Sequence, residues 1–170
     1  STHLGSVLRI VLTDRPDILN TGALLTGILS FLGSAGLAIS LPKLGASRVA
    51  AFLFALSLAS AGLAALWAGL HPLPDPQHNP GALGIGMFVA PFSAVWTAWR
   101  IKDSGTLRYL LVSNAVAFIV LGALMSGAVN IDLAAFGGLI QKLLAASSFA
   151  PSSVLAGIAL MCSRHHVSAA

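Results

Sequence analysis

Charge is scarce in this sequence. Of its 170 residues, 8% are Asp, Glu, Lys or Arg, while 56% are hydrophobic and the mean hydropathy is +0.90. An ordinary soluble domain carries about 25% charged residues, because charge keeps its surface in water. A soluble globular domain is therefore excluded. Cysteine is nearly absent: Cys162 stands alone, so no intramolecular disulfide can form and the redox compartment is unreadable. No block alternates polar and apolar residues with period two, which excludes strands and a membrane β-barrel. No Asp, Glu, Lys or Arg sits near the centre of an apolar block, which argues against a proton-coupled pump or a voltage sensor. There is no phosphate-cradling loop either, because Gly84-Ile85-Gly86 lies inside an apolar stretch with no preceding strand. Neither a nucleophile elbow nor a paired-carboxylate site is present. The N-terminal segment Ser1–Leu12 has only a very short apolar run, so it reads as neither a cleavable signal peptide nor a span. The net charge of +4 and pI near 10.0 do not point to nucleic acid, because the basic residues form no stripe and sit at the ends of apolar blocks.

What the chain has is long apolar runs. Roughly 20 such residues in a helix match the hydrocarbon core of about 30 Å. Five blocks qualify, at about 19–41, 49–70, 82–99, 107–129 and 136–162, and together they predict one all-α transmembrane bundle over residues 1–170. The last block holds Pro151, and Asp132 and Lys142 fall at its start. It reads as one helix entering near Phe136 or Leu143 and ending near Cys162, or alternatively as a short interfacial helix followed by a short span. Pro42 and Gly45 break the first two blocks, Pro72, Pro74, Pro76 and Pro80 the next two, Asp103-Ser104-Gly105 the third from the fourth, and Asn130 and Asp132 the last pair. Such short loops predict antiparallel neighbours.

Basic residues set the expected orientation. Lys43 and Arg48 lie in the first loop, Arg100, Lys102 and Arg108 around the third, and Arg164 after the last block; the proline-rich loop has none. The alternation puts loops one and three and the C-terminus in the cytoplasm of a prokaryotic inner membrane. The N-terminal segment then lies outside, with Arg9 and Arg15 offset by Asp14 and Asp17. Trp67 falls at the expected outer boundary and Trp96, Trp99 and Tyr109 at the inner one, as an aromatic belt requires. Gly22, Gly27, Gly33 and Gly36 with Ser30 and Ser34, and Ser57, Ser60 and Gly62 in the next block, predict close helix packing.

Polar chemistry concentrates in Gly69–Pro80. His71, Asp75 and His78 lie within eight residues there, a donor set that zinc accepts, although the spacing matches no zinc motif. The competing reading is a rigid extended loop facing water or headgroups. Gln141 and Lys142 are expected on the same side of the membrane; the lysine snorkels to the interface, pairs with Asp75 or Asp132, or holds an anionic headgroup. Asn114 and the serines 147, 148, 152 and 153 around Pro151 are expected to bond across helices or back to their own carbonyls. His165 and His166 after Arg164 read as a solvated tail.

Three short elements resemble a known family. They are Asn20-Thr21-Gly22 opening a helix with Gly27 beyond it, Gly69 to Pro72 with Asp75 and His78, and Gly138-Leu139-Ile140-Gln141-Lys142 opening the last helix. Their order and spacing, over nearly the whole chain, resemble the bacterial and archaeal membrane family called domain of unknown function 998, itself similar in outline to the eukaryotic Frag1 group of lipid remodelling. The resemblance implies a six-span bundle, no established activity and no catalytic residues. His71 stands where the family usually has an aromatic residue and Lys142 where it has arginine. Ser1-Thr2-His3-Leu4-Gly5 looks like the polar stretch after the family's first span, so a leading span is expected to be missing here.

Three functions fit these observations. The first is binding of a lipid or small apolar ligand at the outer helix ends through His71, Asp75, His78, Gln141 and Lys142. The second is a membrane enzyme acting on lipids through the same groups with a metal on His71, Asp75 and His78. The third is an accessory subunit, homo-oligomeric or part of a larger membrane complex. No cofactor is specified by the sequence.

Overall fold

The computed structural model describes residues 16–72, 74–101, 104–129 and 133–167, with side chains from residue 20 to 162 apart from 130–135 and the gaps just given. It is a bundle of five α-helices with no strand among the described residues. We number them α1 (Pro16–Lys43), α2 (Arg48–Leu70), α3 (Ile85–Arg100), α4 (Gly105–Met125) and α5 (Leu133–Val167). All five are long and apolar enough to span, over Asn20–Lys43, Arg48–Leu70, Gly81–Arg100, Gly105–Met125 and Phe136–Cys162. The protein is an integral membrane protein of the multi-pass helical class.

Local chemistry sets the ends. Pro16 opens α1, where its missing N–H costs no helical bond. Gly45 at φ +94° closes it: Ala46 N–H donates to Leu41 O at 3.2 Å and Gly45 N–H to Pro42 O at 3.1 Å, the paired bonds of a Schellman turn. The turn that follows is so short that α1 and α2 form an antiparallel hairpin. α3 has only 16 residues, about 24 Å, and falls short of a bilayer core. A 3₁₀ turn over Gly81–Gly84 leads into it and supplies the missing length. The fourth span stops at Met125 rather than near residue 129. Ser126 N–H closes the last turn on Gly122 O, and Gly127 at φ +77° turns the chain away. The fifth span is one unbroken helix through Pro151, so the single-helix expectation holds. Residues Ser1–Leu12, Asp14, Arg15, Lys102, Asp103, Asn130 and Asp132 lie outside the described residues, as do the side chains of Asp17, Arg164, His165 and His166.

The small residues act where backbones meet. An added Cβ on Gly27 would lie 2.7 Å from Gly62 O, and one on Gly62 would lie 2.9 Å from Gly27 O, so this pair sets the α1–α2 separation. Gly86 does the same for α3 on α2, since a Cβ there would overlap Ser57 O. α2 is the central helix, half buried over its span against 22% for α1, α4 and α5. Leu41, Phe54, Leu58, Ala90, Ala94, Ala98, Leu111 and Leu155 form the core. Phe88 and Phe92 meet Phe118 edge-on at 5.9 and 6.1 Å and join α3 to α4. α5 packs on α4 and α3, and to a smaller extent on α1.

Candidate functional site

The two ends of the bundle differ in chemistry. One carries the proline-rich loop; the other carries Lys43, Arg48, Arg100 and Arg108. We call them the proline-loop face and the basic face.

At the proline-loop face α2 ends because Pro72 cannot continue it and His71 leaves helical geometry at φ −117°, ψ 73°. The chain then folds back beside α2. Trp67 Nε1 donates to Gln77 O at 2.6 Å, and Ser60 Oγ to Leu83 O at 2.7 Å, so the return strand descends along the helix that it left. Asp75 organises the bend. Its Oδ1 accepts from Gln77 N–H at 2.8 Å and caps the 3₁₀ turn Pro76–His78, while its Oδ2 meets His71 Nδ1 at 3.1 Å. The Gln77 amide, and then the His71 bond, hold the exposed carboxyl below its ordinary value of 3.8. His78 Nδ1 lies 2.7 Å from His71 O. A carbonyl only accepts, so that nitrogen carries the proton, and the Asp75 carboxylate assigns the same tautomer to His71. The His71 ring also packs on Trp67 at 4.5 Å.

His71, Asp75, Gln77 and His78 are thus joined in one bonded loop. Among the described residues, no group of three or more His, Cys, Asp or Glu side chains is arranged to hold a metal ion. Gln141 and Lys142 are exposed on α5, and among the described residues no hydrogen bond or ion pair joins them to the loop.

A groove runs between α1 and α5, from the level of Thr26 to that of Ser40 near the basic face. The contact between α1 and α5 leaves a seam that opens to the surface. Two continuous cavities of about 310 and 320 Å³ occupy it, sharing Gly33, Leu37 and Ala156. Thr26 and Phe149 line one end, and Ser40 and Leu160 the other. From Thr26 to Ser40 the groove is about 21 Å long at a rise of about 1.5 Å per residue. Gly33 and Gly36 form open floor, since an added Cβ on either would meet nothing within 4 Å. These glycines read as packing residues in the sequence. The signal that separates them from Gly27 is angular: Gly33, Gly36 and Ser40 follow at three and seven residues on one face, and Gly27 falls about 120° away. On α5, Lys142 stands seven residues before Phe149 and fourteen before Ala156, so it shares the groove-lining face and lies about 10 Å beyond the groove toward the proline-loop face.

Between α4 and α5, Asn114 Nδ2 donates to Ser147 O at 2.8 Å. Ser147, Ser148 and Ser152 hydroxyls return to carbonyls one turn earlier in their own helix. Both outcomes match the expectation for polar groups in a membrane. At the basic face, a cavity of about 460 Å³ is lined by Leu44, Ile101, Leu107, Val154, Ile158 and Cys162. Its polar neighbour Ser104 already donates to Ala98 O or Ile101 O, so that cavity is an apolar recess. No protein-family model, curated protein or solved structure matches this chain.

Proposed function

We propose that this protein binds a membrane lipid, with an acyl chain in the α1–α5 groove and an anionic headgroup at Lys142. One observation carries the reading: the groove is lined mainly by glycines and apolar side chains, with hydroxyls at Thr26, Ser30, Ser40, Ser152 and Ser153, and the face of α5 that lines it carries a lysine about 10 Å further toward the proline loop. A lysine at that level can extend to the headgroup region while its stem covers apolar surface. An apolar slot with a few polar groups at one end is the usual form of a site for an amphiphile. In the same reading the bonded loop at the proline-loop face adds headgroup contacts through Nε2 of His71 and His78. The metal-dependent enzyme reading draws no support from the loop, since among the described residues no three His, Cys, Asp or Glu side chains are arranged to hold an ion.

The same proposal includes the inner membrane, the proline loop outside and the C-terminus in the cytoplasm, supported by the confinement of Lys43, Arg48, Arg100 and Arg108 to one face. It also includes membership of the family of unknown function 998, supported by the three sequence elements at Asn20, Gly69 and Gly138. The test is native mass spectrometry of protein purified in mild detergent. Retained phospholipid is expected for the wild type and for Lys142→Arg. Loss is expected for Lys142→Glu and for Gly33→Leu, whose side chain starts from open floor and fills the groove. Lipid retained by both damaging variants refutes the site. A partner polypeptide at constant stoichiometry in its place makes the seam a helix-docking surface of an accessory subunit.

A further inference from the structure

We propose a second and independent site: the groove at the junction of α3 and α4 holds the phosphate of an anionic phospholipid on Arg108, in the leaflet at the basic face. The groove has a volume of about 430 Å³ and is lined by Trp99, Gly105, Arg108, Tyr109 and Val112.

Arg108 is built in rather than free to wander. Its Nη2 donates to Ile101 O at 3.0 Å and its Nε to Ala98 O at 3.4 Å, two carbonyls at the end of α3. Its Cζ lies 5.7 Å from the Trp99 ring centroid, within cation–π range. The guanidinium is therefore fixed on two sides and half buried. Of its five N–H donors, those two bonds use two and leave three. Among the described residues no carboxylate pairs with it, since Asp75 lies at the opposite face. A fixed, planar cation with donors to spare takes phosphate oxygens in short, charge-assisted bonds.

The level argues for a lipid as the source of that phosphate. Arg108 stands three residues into α4, about 5 Å from the helix start, where headgroups meet hydrocarbon. Trp99 and Tyr109 flank it as exposed amphipathic rings, which favour this depth. Val112, one turn further into the span, gives the groove an apolar end for the first methylenes. Arg100 lies at the end of α3 close to the first loop, where a Cβ on Gly45 would lie 3.6 Å from Arg100 O, so Lys43 and Arg48 add positive potential across the face.

Trp67→Phe and Trp96→Phe leave Trp99 as the sole tryptophan. Reconstituted in phosphatidylcholine vesicles, this protein is titrated with brominated-chain phosphatidylglycerol or, separately, brominated-chain phosphatidylcholine. The quenching of Trp99 gives the relative association of each lipid. About a fivefold preference for phosphatidylglycerol is expected. Arg108→Gln should equalise the two lipids, and Arg108→Lys should keep part of the preference. Gly105→Leu should abolish it with Arg108 in place, since a Cβ at Gly105 meets nothing within 4 Å and the added chain fills the groove; if Arg108→Gln does not fold, Gly105→Leu decides. Equal quenching in the unmodified groove overturns the proposal, as does a preference that Gly105→Leu retains. Abolition by millimolar inorganic phosphate would assign the site to a free anion and overturn the lipid. Lys142 is unchanged throughout, so these results stand apart from those for the α1–α5 groove.

Discussion

Replacing Asn114 by leucine tests how the bundle tolerates a proline in its last helix. Pro151 has no N–H, so the carbonyl four residues earlier, that of Ser147, loses its helical donor. Both hydroxyls at that level, Ser147 and Ser148, donate to Leu144 O and do not serve it. Asn114 Nδ2, from α4, donates to that orphaned carbonyl at 2.8 Å. The bond joins two helices and also satisfies a backbone group that hydrocarbon cannot solvate. Interhelical bonds in membranes contribute about 0.6 kcal/mol on average and up to about 1.7. A buried carbonyl left bare costs about 1–3 kcal/mol. Asn114→Leu should therefore destabilise by about 1–2 kcal/mol, measured by reversible unfolding in mixed micelles. The cause is isolated by Pro151→Ala, which restores the N–H that Ser147 O needs. Pro151 is fully buried, so that change alone leaves a void, and the double-mutant cycle subtracts its cost. In the Pro151→Ala background Asn114→Leu should lose at least half of its effect. Equal costs in both backgrounds, or no cost in either, refute the reasoning.

Other outcomes follow from the same geometry. Gly86→Ala should cost about 1–3 kcal/mol in the same unfolding assay, because its Cβ would overlap Ser57 O and lie 2.6 Å from Ser60 Cβ, whereas Gly36→Ala, in open groove, should be neutral or slightly stabilising. Asp75, with its carboxyl held low, adds loop stability that is present above the ordinary value of 3.8 and is lost as pH falls through its lower folded value. With Trp67 as the sole tryptophan, the fluorescence step that Asp75→Asn removes should lie below pH 3.8; a step removed by that change but centred above 3.8 contradicts the assignment. In a Cys162→Ser background, cysteine at Gln77 should label with an impermeant thiol reagent in intact cells, and cysteine at Thr106 should not; the reverse pattern inverts the orientation.

The five spans were legible because the bilayer imposes one length and one polarity on all of them. Leu19–Leu41 and Val49–Leu70 in sequence differ from the observed spans by one or two residues at most ends. The errors fall where a local bond decides the end and hydropathy does not. Ala128 and Val129 are apolar enough to extend α4, but Gly127 turns the chain first. Residues 81–84 look like the start of a helix and form a 3₁₀ turn, because Ser60 holds Leu83 O and the chain is still descending beside α2. Pro151 gives a sequence reader reason to break α5, and the donor that keeps Ser147 O satisfied sits 33 residues away on another helix.

The sites were less legible for a related reason. His71, Asp75 and His78 could be grouped by proximity in the chain, and the structure does join them, but through bonds that also use the backbone of Gln77 and His71. Proximity alone could not separate such a bonded turn from an open donor set. The grooves depend on how closely each pair of helices packs along its length, a property of pairs. Gly27 and Gly33 are the same residue type in the same helix, yet one closes an interface and the other opens a slot, because about 120° of helix rotation points them at α2 and at the α5 seam. Once that rotation is known, Lys142 is no longer an isolated interfacial cation: its seven-residue spacing from Phe149 puts charge about 10 Å beyond the groove on the same face of α5. Arg108 gains its meaning in the same way, from Trp99 and the α3 carbonyls that fix it at the other end of the bundle. An amphiphile in the first site and an anionic headgroup in the second would each meet a cation at the level where the membrane itself changes from polar to apolar.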